Sequence, residues 1–401
     1  MALAEFKNPS PYEARLRKEF AEGGRSDEAV RAWNAFAAAG LPHRRLEGWR
    51  WTDLRGALAE AGGESPAPVA PIELDALAII RIENEDVTIE GGDDVAGLSA
   101  RVVDGPPEPF ASHAVSDLGR AFASQTVLIE VSGKIEQPIL IIHRGGAGRN
   151  GDAVDIHVAP GGSARIVEII QSAGGSFHHV GARIVLNESA SLTRSVIQDA
   201  AEEAVLVGLA SATLGANARF CQSSVALGGK LARLETHLKF DGDGASASID
   251  SAALVSDSRH ADFTTIVAHN AEACETRQRH KGVADGRGRA VFQGKFFVDR
   301  AGQRTDADMQ ANAILLSDGA QANHKPELEI YADDVECAHG STCGALDDGA
   351  LFYLRQRGLD EASARALLIE AFVGEILDDM DAAAAPAARA MVENWLEARG
   401  R

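Results

Sequence analysis

The sequence predicts a mainly β protein, in which a β-solenoid core is flanked by N-terminal and C-terminal α-helical domains. Three observations support this fold class. Short β-branched runs separated by Gly, Asn and Asp fill the middle of the chain. A motif within this zone recurs at a nearly constant spacing. Helical periodicity is confined to the two ends. We place the domain boundaries at residues 1–75, 76–345 and 346–401.

The N-terminal domain begins with two predicted helices. Apolar residues recur at helical spacing in SPYEARLRKEF and in SDEAVRAWNAFAAAG, which is typical of helices with one buried face. Ser26 or Asp27 is placed to cap the second helix, and Gly40 is placed to end it. The following segment 62–73, GGESPAPVAPIE, is rich in Pro, Gly and Ser and is predicted to be a linker.

The repeat in the middle zone favours a solenoid. The segments GGSARI, NESASL, GANARF and GASASI each set a turn residue shortly before a small residue, which an alternating strand follows. The small residues Ala164, Ala190, Ala218 and Ala247 are separated by 26, 28 and 29 positions. Such a period indicates a stacked solenoid or a propeller, and no aromatic blade signature supports the propeller. A β-sandwich remains the alternative, because turn spacing alone would fit it.

Helical periodicity returns after residue 346 in three segments. The second segment, DEASARALLIEAFVGEILDDM, is predicted to place these residues on one face: Ala364, Leu367, Leu368, Ala371, Phe372 and Ile376. The simplest role of the three helices is to cap the open end of the solenoid, which otherwise exposes a strand edge. A second role is to dock another protein, and the acidic run DDMD leaves that role open.

Composition narrows the possible functions. The formal net charge of −20 disfavours a nucleic-acid partner, and the basic segment Arg277 to Arg289 is expected to be a solvated loop. No apolar run approaches the roughly 20 residues of a membrane-spanning helix. The N-terminus has no apolar segment after a basic start, so we expect a cytoplasmic protein. Four cysteines without a CxxC spacing argue against a disulfide framework.

The candidate ligands are Cys337, His339 and Cys343, at the junction of the β zone and the C-terminal helices. Thiolate and imidazole suit zinc, copper or iron–sulfur units. The three residues are one ligand short of a closed zinc site unless His324, Glu336 or a second chain completes it. The spacing is not a zinc signature, so simple packing of the thiols stays open. No motif for an oxyanion site supports a Cys337 nucleophile with His339 as its base.

Other residues of these types are expected to be structural. Cys221 and Cys274 have small or apolar neighbours, which favours packing in the core. His178 and His179 are adjacent in a predicted strand, so they point to opposite faces and do not ligate together.

The stretch that holds the candidate ligands also carries a family resemblance. ANAILLSDGAQANHKPELEIYADDVECAHGSTCGALDDGALFYLRQRGL, from Ala311 to Leu359, closely resembles the signature region of the SufB/SufD family of the SUF iron–sulfur cluster assembly system. The resemblance extends to RHKGVADGRGRAVFQGKFFV and to GLPHRRLEGWRWTDLR near the N-terminus. The chain lacks the N-terminal cysteine cluster of the longer SufB branch and is more similar to the other branch.

The resemblance implies a right-handed parallel β-helix and a non-enzymatic scaffold subunit for iron–sulfur cluster assembly. The subunit would pair with SufB through the β-helix and bind the ATPase SufC through its C-terminal helices. We expect the contacts with SufC to include four residues: Leu367, Leu368, Phe372 and Ile376.

The family's Cys-x-His pair falls on Cys337 and His339. This match implies that the two residues contribute to a nascent iron–sulfur cluster, or to a metal, shared with SufB. Cys343 has no expected counterpart in the family. We expect no cofactor to be bound stably by this chain alone, and no flavin fingerprint is visible. Two alternatives remain: a β-helix carbohydrate-active enzyme, and a metal-free structural homodimer that forms without SufB.

Overall fold

In the computed structural model, residues 3–59, 63–67, 74–108 and 113–399 are described. The predicted linker at 62–73 lies mostly outside these ranges. The helices are α1 Pro11–Glu22, α2 Asp27–Ala39, α3 Leu54–Ala59, α4 Ala114–Phe122, α5 Asp348–Gln356, α6 Glu361–Leu377 and α7 Ala385–Glu397. None of the helices in the described ranges is long and apolar enough to cross a membrane.

The strands of the described residues follow one another between the two helical ends. They are β1 Ala78–Glu83, β2 Asp86–Gly91, β3 Leu98–Asp104, β4 Gln125–Val131, β5 Ile139–Gly145, β6 Gly148–Val158, β7 Ser163–Ser172, β8 Ser176–Leu186, β9 Ser191–Ala200, β10 Val205–Leu214, β11 Arg219–Ala226, β12 Leu231–Phe240, β13 Ser246–Val255, β14 His260–His269, β15 Glu275–Ala284, β16 Arg289–Val298, β17 Thr305–Leu315, β18 Gln321–Ile330 and β19 Val335–Gly344.

These strands form a parallel β-solenoid, which confirms the predicted fold class. From β4 to β19 the chain alternates between two sheets, so each turn of the solenoid contains two strands and there are about eight turns. One sheet has the order β19-β17-β15-β13-β11-β9-β7-β5-β1-β2, and the other has the order β18-β16-β14-β12-β10-β8-β6-β4-β3. Only the pairs β1–β2 and β3–β4 are antiparallel, and they close the first end of the solenoid.

The repeat was predicted with the right period and a partly wrong alignment. Ala164 and Ala247 occupy the second position of their strands and belong to one ladder in register. Ala190 and Ala218 instead lie at the corner just before their strands. Cys274 occupies the same corner before β15 and is 1% exposed. The corner position is occupied by small side chains because neighbouring coils approach closely there. The ladder that holds Ala164 and Ala247 also holds Leu192 and Phe220, so it does not require a small residue.

The interior of the solenoid is mostly apolar, because one face of every strand points inward. Isoleucine dominates the first coils, and phenylalanine fills the later ones. Representative buried residues are Ile80, Ile129, Ile156, Ile184, Phe220, Phe240, Phe292 and Phe296. Each coil buries its inner face against its neighbours, so the core is continuous along the axis.

The two N-terminal helices form as the sequence predicts, and they pack together. The Ser26 hydroxyl accepts a hydrogen bond from the Ala29 amide, and Gly40 ends α2 with a φ of +73°. Trp33 is fully buried between these helices and α4. Helix α4 lies inside the zone where the sequence showed little helical periodicity, so that part of the prediction was wrong. Its short length made the pattern weak, although its apolar face packs against α2.

The segment before α3 fixes the N-terminal domain to the solenoid. Arg233, on the outer face of β12, lies 4.1 Å from the centre of the Trp49 ring and pairs with Glu235 and Asp262 at 2.8 and 2.7 Å. The Thr52 hydroxyl also donates to Asp262. Because the side chains of Arg233, Glu235 and Asp262 are all at most 3% exposed, this buried charge network needs every partner in place.

Helices α6 and α7 lie on the outer face of the ten-stranded sheet. Helix α6 contacts β11, β13 and β15, and its buried residues include Ile369, Val373, Ile376 and Leu377. The prediction that the helices cap the open end is therefore wrong for α6 and α7. The end coil, formed by β18 and β19, remains largely exposed.

Candidate functional site

The predicted site lies on β19, the last strand of the ten-stranded sheet. Along the strand, β19 pairs only with β17, so its other edge is open. Cys337 and His339 are the register partners of Ala307 and Met309, which are 1% and 0% exposed in the core. Because paired residues of parallel strands point to the same side, Cys337 and His339 face inward, toward the axis of the solenoid.

Four residues share this inward position on β19: Cys337, His339, Ser341 and Cys343. We call them the inward row. In the preceding coils the equivalent positions are covered by the next coil, but β19 is the last strand. His339, Ser341 and Cys343 are consequently exposed, while Cys337 is half-buried and packs against the core. At the open end, the side chains of the inward row are therefore accessible to a binding partner although they face the core.

The inward row does not form a closed metal site by itself. No group of three or more His, Cys, Asp or Glu side chains in the described ranges is arranged to hold a metal ion. Glu336 points to the opposite face from Cys337, because it precedes it by one residue. Cys343 is six residues from Cys337, which separates their Cα atoms by about 20 Å in a strand. Cys343 and Glu336 therefore do not complete a site with Cys337.

His324 also reaches the open end, from β18. Its Nδ1 lies 2.9 Å from the Ser341 hydroxyl oxygen. Burial lowers the pKa of His324 to about 4, so the imidazole is neutral at physiological pH. This hydrogen bond connects His324 to the inward row through Ser341.

The surroundings of Cys337 disfavour the thiolate form that a nucleophile would need. Desolvation by burial raises its pKa, and the nearby Asp306 carboxylate raises it further. A thiol is reactive as its thiolate, which needs cationic surroundings. The environment agrees with the sequence argument against a Cys337–His339 nucleophile and base.

The other sequence predictions have mixed outcomes. Cys274 is a core residue as predicted, but Cys221 lies half-buried on the outer face of β11, so the prediction was wrong for Cys221. His178 and His179 do point to opposite faces. His178 contacts Asp152 inside the solenoid, whereas the His179 ring lies against Gly119 of α4 outside it.

The sequence analysis missed a buried polar network in the first coils. His143 Nδ1 and His178 Nε2 lie 2.9 and 3.0 Å from the same oxygen of Asp152. In the next coil, Arg194 binds Glu168 through two hydrogen bonds of 2.8 and 2.6 Å. All five side chains are at most 6% exposed. The sequence signal that could have revealed this network is a polar residue at an inward position of an otherwise apolar strand, as in ILIIHRG and RIVEIIQ.

The basic segment Arg277 to Arg289 is not a solvated loop, because most of it is strand β15. Its outward side chains bind acidic residues of the same chain: Arg279 contacts Asp250 at 2.7 Å, and Lys281 contacts Glu375 of α6 at 2.9 Å. The segment therefore helps to hold the C-terminal helices.

The prediction that one face of α6 carries all four docking residues is wrong, whereas their contact with SufC stays a prediction. Leu367 is 46% exposed, and Leu368 and Phe372 are half-buried. Ile376 is fully buried in this chain against the sheet, so it is not available to a partner. The error arises because α6 is apolar around much of its circumference, so periodicity alone does not select the face.

The acidic run DDMD forms ion pairs within the chain. Asp381 accepts two hydrogen bonds from Arg165, at 2.6 and 2.7 Å, and Asp379 pairs with Arg279. The side chain of Asp381 is 1% exposed, whereas Asp378 and Asp379 are 69% and 53% exposed. Asp381 thus holds the C-terminal helices against the sheet, and docking through the exposed part of the run stays a prediction.

Exposed apolar residues are concentrated near the C-terminal end of the described chain. Two lie on or just after β18, and four lie on or beside α5 and α6. They are Ile330, Tyr331, Phe352, Tyr353, Leu359 and Leu367. Helix α5 has no buried residue at all. Exposed apolar patches of this kind mark surfaces that bind other proteins.

Comparison with known proteins gives a consistent result. Residues 143–372 match the family model described as SUF system FeS cluster assembly, SufBD core domain. The chain is 30% identical to the iron–sulfur cluster assembly protein SufD of Escherichia coli (strain K12) over 375 residues, covering 88% of this chain and 89% of that protein.

Two further relatives are named only as members of the SufBD family. An iron–sulfur cluster assembly SufBD family protein of Mycobacterium tuberculosis (strain H37Rv) is 28% identical over 84% of each chain. One from Synechocystis sp. is 34% identical over 204 residues, covering 51% of this chain and 45% of its own length.

Proposed function

Because this chain belongs to the SufBD family of SUF-system iron–sulfur cluster assembly proteins, we propose that it is a SufD-type scaffold subunit that works in a complex with SufB and the ATPase SufC. In this proposal the subunit is not an enzyme, and SufC hydrolyses ATP. The complex acts in the cytoplasm.

One observation carries the proposal: the open end displays Cys337 and His339 in core-facing positions, and no third ligand accompanies them in the described ranges. A partner that docks on the edges of β18 and β19 would continue the two sheets and bring its own ligands to the inward row. The nascent iron–sulfur cluster would then be held by both chains. Thiolate and imidazole are ligand types that iron–sulfur clusters accept.

SufC would bind the exposed surface of α5 and α6. The apolar residues Phe352, Tyr353, Leu359 and Leu367 supply the contact area that such an interface needs at its centre. Half-buried Leu368 and Phe372 would lie at its margin, and Ile376 would support it from below. Since α6 is fixed to β13 and β15, movement of SufC would be transmitted to the solenoid through this helix.

The experiment is co-expression of the chain with SufB and SufC from its own organism, followed by size-exclusion chromatography with absolute mass. We expect one complex that contains all three proteins. Leu367→Glu should release SufC while SufB remains bound. Val102→Glu is the matched control, because Val102 is 39% exposed but lies on β3, at the closed end of the solenoid.

Two results would contradict the proposal. If the chain elutes as a homodimer while SufB and SufC are present, the open end pairs with a second copy and not with SufB. If Leu367→Glu and Val102→Glu release SufC equally, α5 and α6 are not its binding surface.

A further inference from the structure

Two serine–histidine pairs lie inside the last coils and lead to the open end. Ser251 Oγ is 2.9 Å from His280 Nδ1, and Ser341 Oγ is 2.9 Å from His324 Nδ1. The two imidazole rings contact each other edge to face, with centroids 5.8 Å apart and an interplanar angle of 88°. We call these four side chains the serine–histidine column.

The register of the strands explains why the column forms. His280 on β15 pairs with Ala311 on β17, which in turn pairs with Ser341 on β19. All three positions therefore point inward in one row. Ala311 is fully buried and small, and His324 reaches from the opposite sheet to contact both His280 and Ser341. A larger residue at position 311 would occupy this space.

The inner part of the column is rigid and uncharged. The His280 ring stacks on Phe292 at 4.9 Å with an angle of 16°. Desolvation holds the pKa of His280 well below its usual value, and the neighbouring His324 adds to the effect. Since a neutral imidazole has one N–H and one bare nitrogen, each ring can either donate to its serine or accept from it.

The tautomer of His324 decides what the Ser341 hydroxyl can do. The Nε2 atom of His324 is buried and has no hydrogen-bond partner in the described ranges. A proton on Nε2 would therefore be a buried donor without an acceptor, which is costly. The tautomer with the proton on Nδ1 avoids that cost and donates to Ser341 Oγ. In that arrangement the hydroxyl hydrogen of Ser341 is free to point outward.

Ser341 occupies a central place at the open end. It is exposed and lies between His339 and Cys343 in the inward row, with its Cα about 7 Å from that of His339. We propose that Ser341 donates a hydrogen bond to a sulfide of the iron–sulfur cluster under assembly, and that His324 and the column behind it are positioning residues for this hydroxyl. This inference rests on the proposed function.

The chemistry fits an anionic, sulfur-containing cargo. Cluster sulfides accept hydrogen bonds, and such bonds stabilise a cluster and tune its electronic properties. No covalent bond forms or breaks, and no proton is transferred, because Ser341 only donates a hydrogen bond. A hydroxyl oxygen that already accepts a hydrogen bond from His324 Nδ1–H is held in place, so only the rotation of the hydroxyl hydrogen is lost when the cargo arrives.

The test uses the complex with SufB and SufC under anaerobic cluster assembly. Ser341→Ala should shift the visible absorption and circular dichroism bands of the assembled cluster and increase its rate of loss by about three- to tenfold. Ser341→Thr retains the hydroxyl and should restore both properties. Thr342→Val is the matched control, because Thr342 is exposed on the other face of the same strand. Complex mass is measured for every variant.

A double variant separates a positioning role from a general structural one. His324→Phe should reproduce the effect of Ser341→Ala, and combining the two should cause no further spectral change or instability of the cluster. The inference is overturned if Ser341→Ala matches the wild type, or if the two changes add fully. His339→Ala separates a failure of the proposed function from a failure of this inference. If His339→Ala has no effect on the cluster, the proposed function fails. If His339→Ala has an effect and Ser341→Ala has none, only this inference is rejected.

Discussion

Replacing Asp381 with alanine should increase the local opening of the C-terminal helices α6 and α7 away from the solenoid. The side chain is 1% exposed, and its carboxylate accepts two hydrogen bonds from Arg165 and one from the Ala383 amide, at 2.9 Å. The Asp381 amide itself donates to Ser195 Oγ at 3.0 Å. One carboxylate therefore connects the loop after α6 to the outer face of the sheet.

The expected cost follows from these contacts. Removing one member of a fully buried ion pair costs about 3–5 kcal/mol, mainly because the other charge is left without a partner. Arg165 is 35% exposed, so its guanidinium can be solvated by water after the change. We therefore expect a loss of about 2 kcal/mol, which corresponds to an increase on the order of 30-fold in local opening.

Hydrogen exchange of the α6 and α7 amides measures this local opening directly. Asp378→Ala is the matched control: it lies in the same loop and pairs with Arg389, but it is 69% exposed. Such a surface pair contributes about 0–1 kcal/mol, so exchange should rise much less. If the α6 and α7 amides are equally protected from exchange in Asp381→Ala and Asp378→Ala, Asp381 does not hold these helices against the sheet.

Three further outcomes are expected. A Cβ on Gly242 would lie 2.1 Å from a backbone nitrogen of the preceding coil, so Gly242→Ala should lower the urea midpoint strongly. Gly374 in α6 faces open space, so Gly374→Ala should raise the free energy of unfolding slightly, by up to about 1 kcal/mol. A Gly242→Ala chain as stable as the wild type would contradict this close approach. Burial lowers the pKa of His269 to about 4, below the value of about 6.5 in the unfolded chain, so its contribution is complete above pH 6.5 and is lost as the pH falls toward 4. Urea unfolding should show a loss of about 1 kcal/mol from His269 between pH 7.5 and 5.5, and His269→Gln should reduce the slope by that amount; an unchanged slope would count against it. Arg194→Ala leaves the buried Glu168 without its hydrogen-bonding cation, with only His143 Nε2 nearby at 4.0 Å, and it should cost about 3–5 kcal/mol; a loss below 1 kcal/mol would show that the pair contributes little.

The fold could be predicted because a solenoid repeats its local requirements. Small residues recur where coils approach closely, and their spacing can be recognised in the sequence without any knowledge of long-range contacts. The alignment failed because alanine occurs at two different positions. The corner of Ala190 requires a small residue, whereas the strand position of Ala164 also accepts Leu192 and Phe220 in the following coils. Only the register of the strands separates them.

The site could be predicted in part for a similar reason. Alternation in a strand puts Cys337 and His339 on one face, and their exposure follows from the position of β19 at the end of the sheet. Ser341 and its hydrogen bond with His324 were not predicted, because this contact joins residues of opposite sheets, which no local pattern records. The burial of Ile376 was not predicted either, because tertiary packing decides which face of α6 meets the sheet.

The central claim is that the open end contributes His339 to a cluster site shared with SufB. Anaerobic cluster assembly on the complex with SufB and SufC tests it, with iron and sulfide quantified per complex for wild type, His339→Ala and Glu336→Gln. Glu336 is exposed on the opposite face of β19 and serves as the control. We predict that His339→Ala lowers the cluster content sharply in a complex of unchanged mass, while Glu336→Gln does not. A His339→Ala complex with the full cluster content would contradict the account.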